Sequence, residues 1–215
     1  MMRLRNGSAL IWLAATSSCL AHATTIYDNT AAVTNGSDPV ASPLYGYFGP
    51  LYDSFTTGAD DEVLVDLQLL LSGNPASSGS IDIGLYADSS TALGIEIDDF
   101  GTLDDSSLTS NPALYDIPTG DPALAPDTRY WIGLSDNSAS GITTAFWAWS
   151  TDTSGPGAID EFFANSDGVF ENTSNGPYQM SVSVTAAVPE PGTVYLVLLG
   201  AYLLQQLVFT RRARA

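Results

Sequence analysis

The chain has 215 residues, with 12 prolines, 19 glycines, one cysteine and one histidine, and a formal charge of −18. It contains no lysine, and residues 24–188 hold 23 acids against the single base Arg129, a net of −22. Such a surface excludes nucleic-acid partners, which are held by Lys and Arg displacing phosphate counterions, and it is ill suited to resting on a bare anionic membrane.

Residues 1–23 read as a secretory signal peptide. Arg3 and Arg5 form the charged start, "ALIWLAA" opens the apolar stretch, and Ala21 and Ala23 place small residues at the two recognition positions of a cleavage site. The predicted cut falls between Ala23 and Thr24, which makes the Sec machinery and signal peptidase partners and sends the body across the inner membrane. A rival reading makes Cys19 a lipidated residue, but the preceding "TSS" lacks the leucine-type residue that lipidation signals carry. Cys19 and His22 both lie in this leader. The mature chain is therefore expected to have neither thiol nor imidazole, which removes disulfides, thiolate nucleophiles, His/Cys zinc sites and Ser–His–Asp triads together.

Residues 24–187 read as one secreted domain. In "EVLVDLQLLLS", Val63, Val65, Leu67, Leu69 and Leu71 share one strand face. In "SIDIGLYAD", Ile81, Ile83 and Leu85 alternate with Asp82, Gly84 and Tyr86; in "TRYWIGLS", Tyr130, Ile132 and Leu134 oppose Trp131 and Gly133. "TTAFWAWS" puts Phe146 and Ala148 opposite Trp147 and Trp149, and "YQMSVSVTA" puts Tyr178, Met180, Val182 and Val184 opposite Gln179, Ser181, Ser183 and Thr185. A period of two with one polar face marks antiparallel strands half-buried on a core. The cluster "SGNPASSGS" predicts a turn closing a hairpin between the first two runs. No stretch of the body carries a helical period. The expectation is an all-β fold, an antiparallel β-sandwich of jelly-roll type with 63–71 and 178–184 central, flanked by the signal peptide and a C-terminal transmembrane helix.

Three groups of side chains invite a chemical reading. Trp147 and Trp149 share a face; they pack in the core or, with Trp131, form an aromatic platform for a sugar ring. The acid groups Asp60-Asp61-Glu62, Asp98-Asp99 and Asp104-Asp105 are solvated loop acids or, since calcium takes six to eight oxygens, Ca²⁺ ligands; no stretch has EF-hand spacing. Asp160 and Glu161 are adjacent, which on a strand puts them on opposite faces and spoils them as a glycosidase pair, so no enzyme activity is expected. Arg129 is expected to pair with Asp127 or with an acid across the sheet.

The last 28 residues have a different character. Pro189 and Pro191 fix φ, remove backbone donors and hold their predecessors extended, so Val188, Pro189, Glu190 and Pro191 form a strip with one charged handle. Residues 193–209 lack charge and as a helix reach about 26 Å, slightly short of a hydrocarbon core of about 30 Å. Arg211, Arg212 and Arg214 follow and stay cytoplasmic by the positive-inside rule. The order of Val188-Pro189-Glu190-Pro191, apolar span and Arg211-Arg212 resembles the PEP-CTERM sorting signal (motif 188–192, transmembrane helix 193–209, basic tail 210–215). That resemblance implies processing by an exosortase near the motif, transient membrane anchoring through the helix, and release to the cell surface or beyond in an exopolysaccharide-producing, biofilm-forming bacterium.

The body resembles the choice-of-anchor domains, particularly the R type, through "YDNT" at its start, "SGSIDIGLYADSS" and "LAPDTRYWIGLSD". This implies a secreted β domain joined to an anchor and carries over no activity. Three readings remain: a processed surface or matrix protein, a carbohydrate-binding module that meets exopolysaccharide, and a polysaccharide-active enzyme.

Overall fold

The computed structural model describes residues 22–41, 49–137, 143–172, 176–187 and 200–202. Among the described residues thirteen strands make two sheets with every pairing antiparallel. They are β1 (Thr24–Asp28), β2 (Gly36–Pro39), β3 (Leu51–Thr56), β4 (Glu62–Ser72), β5 (Ser80–Asp88), β6 (Leu93–Asp104), β7 (Ala113–Asp116), β8 (Ala123–Leu124), β9 (Arg129–Asp136), β10 (Phe146–Trp149), β11 (Phe162–Asn165), β12 (Gly168–Glu171) and β13 (Met180–Ala186). The first sheet runs β1-β13-β4-β10-β2 with β7 and β8 also on β4; the second runs β12-β11-β3-β9-β5-β6. One turn of 3₁₀ helix, Asp105–Ser107, links β6 to β7. The protein is a β-sandwich whose inner faces interdigitate in a single apolar core.

The alternating runs explain which faces meet. Leu67, Leu69 and Leu71 of β4 and Met180, Val182 and Val184 of β13 pack against Ile81, Ile83 and Leu85 of β5 and Tyr130, Ile132 and Leu134 of β9, all essentially buried. Each such aliphatic side chain removed from water stabilises the fold by about 1.5–3 kcal/mol. β4 and β13 are central, as their patterns predict.

Two expectations fail for definable reasons. The register between β13 and β4 pairs Ser183 with Asp66 and Val184 with Leu64, so Val65 is an unpaired extra residue, a β-bulge. The bulge reverses the inward face, and Leu64 rather than Val63 or Val65 is buried. The turn at residues 73–79 closes no hairpin: β4 belongs to the first sheet and β5 to the second, so the chain crosses the sandwich there. Asn74 organises the crossing, its side chain accepting from Ala76 N and its carbonyl from Ser77 N, while Gly73 N donates to Thr109 O. The true neighbour of β5 is β6, through a tight turn in which Ser90 and Thr91 both adopt positive φ, at 59° and 67°.

Among the described residues no helix is long and apolar enough to cross a membrane. Of the predicted span 193–209, residues 200–202 are described and are helical. The motif Val188, Pro189, Glu190 and Pro191, the cluster Arg211, Arg212 and Arg214, and Ala21 lie outside the described residues; Ala23 precedes β1, which begins at Thr24.

Candidate functional site

Of the two readings of the tryptophans, Trp147 takes the core one, and the three rings share no platform. Trp147 is fully buried between the sheets, its indole N–H donating to Gln179 O at 3.0 Å and its ring stacked on Tyr178 at 4.8 Å and 18°. Trp131 lies in the other sheet, on its outer face, equally buried, with its N–H on Asp88 Oδ1 at 2.9 Å. Beside it Tyr52 and Tyr86 meet edge to face over Gly133, where a Cβ would come within 2.6 Å of both rings. Of the described tryptophans only Trp149 is half-buried.

Trp149 instead lines a cavity of about 250 Å³ where the two sheets meet near the β2 edge. From the first sheet come Asp38 and Trp149. Strand β2 pairs with β10 so that Asp38 faces Trp147 and Gly36 faces Trp149, and all four positions share the inner face. Gly36 is required here: a Cβ on it would sit 2.5 Å from Trp149 Cζ2, so the indole lies directly over the edge strand. From the second sheet come Phe163, Asn165, Asp167 and Phe170. Strands β11 and β12 form a hairpin pairing Phe163 with Phe170, whose rings stack at 5.2 Å, and its tip is tightened by Asp167 N donating to Asn165 Oδ1 at 2.8 Å.

Tyr178 joins the halves. Its ring stacks on Trp147 and meets Phe163 edge-on at 5.8 Å, and its hydroxyl donates to Asp38 Oδ2 at 2.8 Å. Burial, reinforced by the Asp38 charge, holds the phenol far above its usual pKa, so it remains a donor throughout the physiological range. The second Asp38 oxygen, the Asp167 carboxylate and the Trp149 N–H make no hydrogen bond among the described residues. The site thus offers two aromatic surfaces, two acceptors and a donor.

The other predicted residues are placed as follows. Asp60 and Asp61 sit in the exposed β3–β4 loop; Asp98 and Asp99 lie on the edge strand β6, where Asp98 Oδ1 accepts from Asp99 N and Asp99 Oδ1 from Gly101 N. The structure does not gather them, and among the described residues no group of three or more His, Cys, Asp or Glu is placed to hold a metal. Glu161 is buried and ion-paired with Arg129 at 3.0 Å, so the partner is the one across the sheet rather than Asp127. Glu161 also accepts from Ser54 Oγ at 2.8 Å, and the guanidinium lies 4.5 Å over the Phe162 ring. Asp160 is exposed beside it, and both line a cavity of about 330 Å³ with Phe162 and Glu171.

Sequence reasoning missed Asp53. It is fully buried on the inner face of β3, accepting from Tyr27 Oη at 3.2 Å and from Ser54 N at 2.9 Å. Burial raises its pKa well above the usual carboxylate range, and Glu161 adds to the rise. The "YDNT" stretch is structural: Tyr27 meets Asp53, and the Asn29 side chain brackets β13 by donating to Tyr178 O and accepting from Met180 N.

No family model matches the sequence, and no curated protein matches it. Among solved structures the chain is similar to the infectious bursal disease virus VP2 subviral particle, at 11% identity and a TM-score of 0.32, over 90% of this chain and 49% of that one. The chain therefore spans about half the length of that protein.

Proposed function

We propose that the chain is an exported envelope or matrix protein, sorted by an exosortase through a C-terminal PEP-CTERM signal, whose body is a jelly-roll domain of the choice-of-anchor kind in an exopolysaccharide setting. The observation that carries the reading is the order of Val188-Pro189-Glu190-Pro191, the uncharged run 193–209 and the arginines 211, 212 and 214. The jelly-roll reading is supported by the pairings themselves. The row β2-β10-β4-β7 faces the row β3-β9-β5-β6, so the chain crosses the sandwich at each step of these eight strands except the β5–β6 hairpin, as two nested Greek keys require, with β1, β13, β11 and β12 added. The test is fractionation of cells with and without the exosortase, with mass spectrometry of the mature C-terminus. Loss of the terminal arginines in wild-type cells alone is expected; their retention in both strains overturns the reading.

A further inference from the structure

We propose that the cavity between Trp149 and Phe170 binds one uncharged sugar ring of a polysaccharide. Its volume of about 250 Å³ lies below the roughly 300–1,000 Å³ of pockets that enclose drug-sized ligands, so it takes a single small ring rather than an extended substrate. The two half-buried aromatic side chains supply flat apolar surface of the kind that packs against the C–H face of a pyranose. A pyranose also carries hydroxyls around its rim, and these need partners in the plane of the ring. Among the described residues three groups of the pocket have no partner: the second oxygen of Asp38, the Asp167 carboxylate and the Trp149 N–H.

One acceptor is also held in advance. Asp38 is fixed by the neutral Tyr178 hydroxyl, and that ring is locked between Trp147 and Phe163 in the core. A ligand therefore meets an Asp38 carboxylate whose rotamer is already set, which lowers the entropic cost of binding. Charge selects the class: among the described residues two carboxylates and no cation line the site, and the body carries −22. Uronates and phosphorylated sugars are repelled, and neutral hexoses are not. The inference stands apart from the sorting reading, because sugar binding by the purified full chain needs no exosortase.

The experiment is calorimetric titration of the full chain, in a detergent lacking sugar headgroups, with neutral gluco-, galacto- and manno-oligosaccharides and with a uronate oligosaccharide. At least one neutral oligosaccharide is expected to bind with a dissociation constant of about 0.1–1 mM. Phe170→Ala is expected to weaken it at least about tenfold, the scale of a lost stacking contact. Asp167→Ala, which removes an exposed turn carboxylate and keeps the fold, is expected to weaken it about tenfold. Ile95→Ser, on the exposed β6 edge, leaves it unchanged. If Phe170→Ala fails to fold, Asp167→Ala decides. The proposal is overturned by no neutral binding up to about 10 mM, by binding untouched in the folded variants, or by tighter binding of the uronate.

Discussion

Asp53→Asn isolates the cost of a carboxylate in the core. In the wild type the group is fully buried, its two oxygens meet Tyr27 Oη and Ser54 N, and burial raises its pKa well above the usual carboxylate range. The folded protein therefore keeps the proton to a higher pH than the unfolded chain does, whose Asp releases it near pH 4. Below that pH both states are protonated and the contribution to stability is fully present. Above it the unfolded state is favoured by about 1.4 kcal/mol for each pH unit, until the folded pKa is reached and the loss levels off. Asparagine imitates the protonated acid, keeping its oxygen for Ser54 N and offering its amide to the Tyr27 oxygen, and it does not titrate. The variant should thus match the wild type near pH 4 and outlast it increasingly as pH rises. For a domain of this size the gap opens by about 3–6 °C in melting midpoint per pH unit. Calorimetric melts of both proteins from pH 4 to 8 provide the measurement, and their difference cancels the repulsion among the surface acids. Parallel pH profiles would refute the argument, because they would mean that Asp53 ionises in the folded state as readily as in the unfolded one.

Replacing Ser90-Thr91 by Asn-Gly in the β5–β6 turn, where both residues hold positive φ, should raise stability by about 1 kcal/mol in urea denaturation; a decrease would show that the native side chains favour the turn. Gly36→Ala places a methyl 2.5 Å from Trp149 and should cost about 1–3 kcal/mol while shifting the indole fluorescence. Arg129→Met leaves Glu161 buried without its cation and should destabilise by about 3–5 kcal/mol at neutral pH, with much of the loss recovered on adding Glu161→Gln; a double-mutant cycle with no coupling would contradict the pair's role.

The strands with clean alternation were readable because their polar faces meet solvent and their apolar faces meet the core, as in β5. The others hide for physical reasons. Strand β3 carries Asp53 on its inner face between Leu51 and Phe55, which breaks the apolar period. Strand β6 is an edge with Ile95 and Ile97 exposed among acids, so neither face reads as buried. A local turn signal cannot distinguish a hairpin from a crossing between sheets, since Asn74 organises either in the same way. Gln179, expected on a polar outer face, is buried because the loop after β1 folds over it: its amide donates to Asn29 O and Ala32 O and its oxygen accepts from Thr34. Of the pocket, only Trp149 stood out beforehand. Asp38 and Phe170 lie far from it in sequence and reach it through the pairing of β2 with β10 and the stacking of Phe163 on Phe170. The "FFANSDGVF" stretch, two aromatic runs around a polar turn, is the signal that marks the β11–β12 hairpin.

Strand β13 lies between β1 and β4, so the opening strand of the body and its longest central strand are joined only through its closing one. A chain delivered from its N-terminus leaves a slot in the first sheet, with unpaired amides and carbonyls along both sides, until residue 186 arrives. Such late, distant closure makes folding slow and the waiting intermediate prone to capture by other strands. The last seven residues of the sandwich thus set the moment at which the whole domain becomes safe from aggregation.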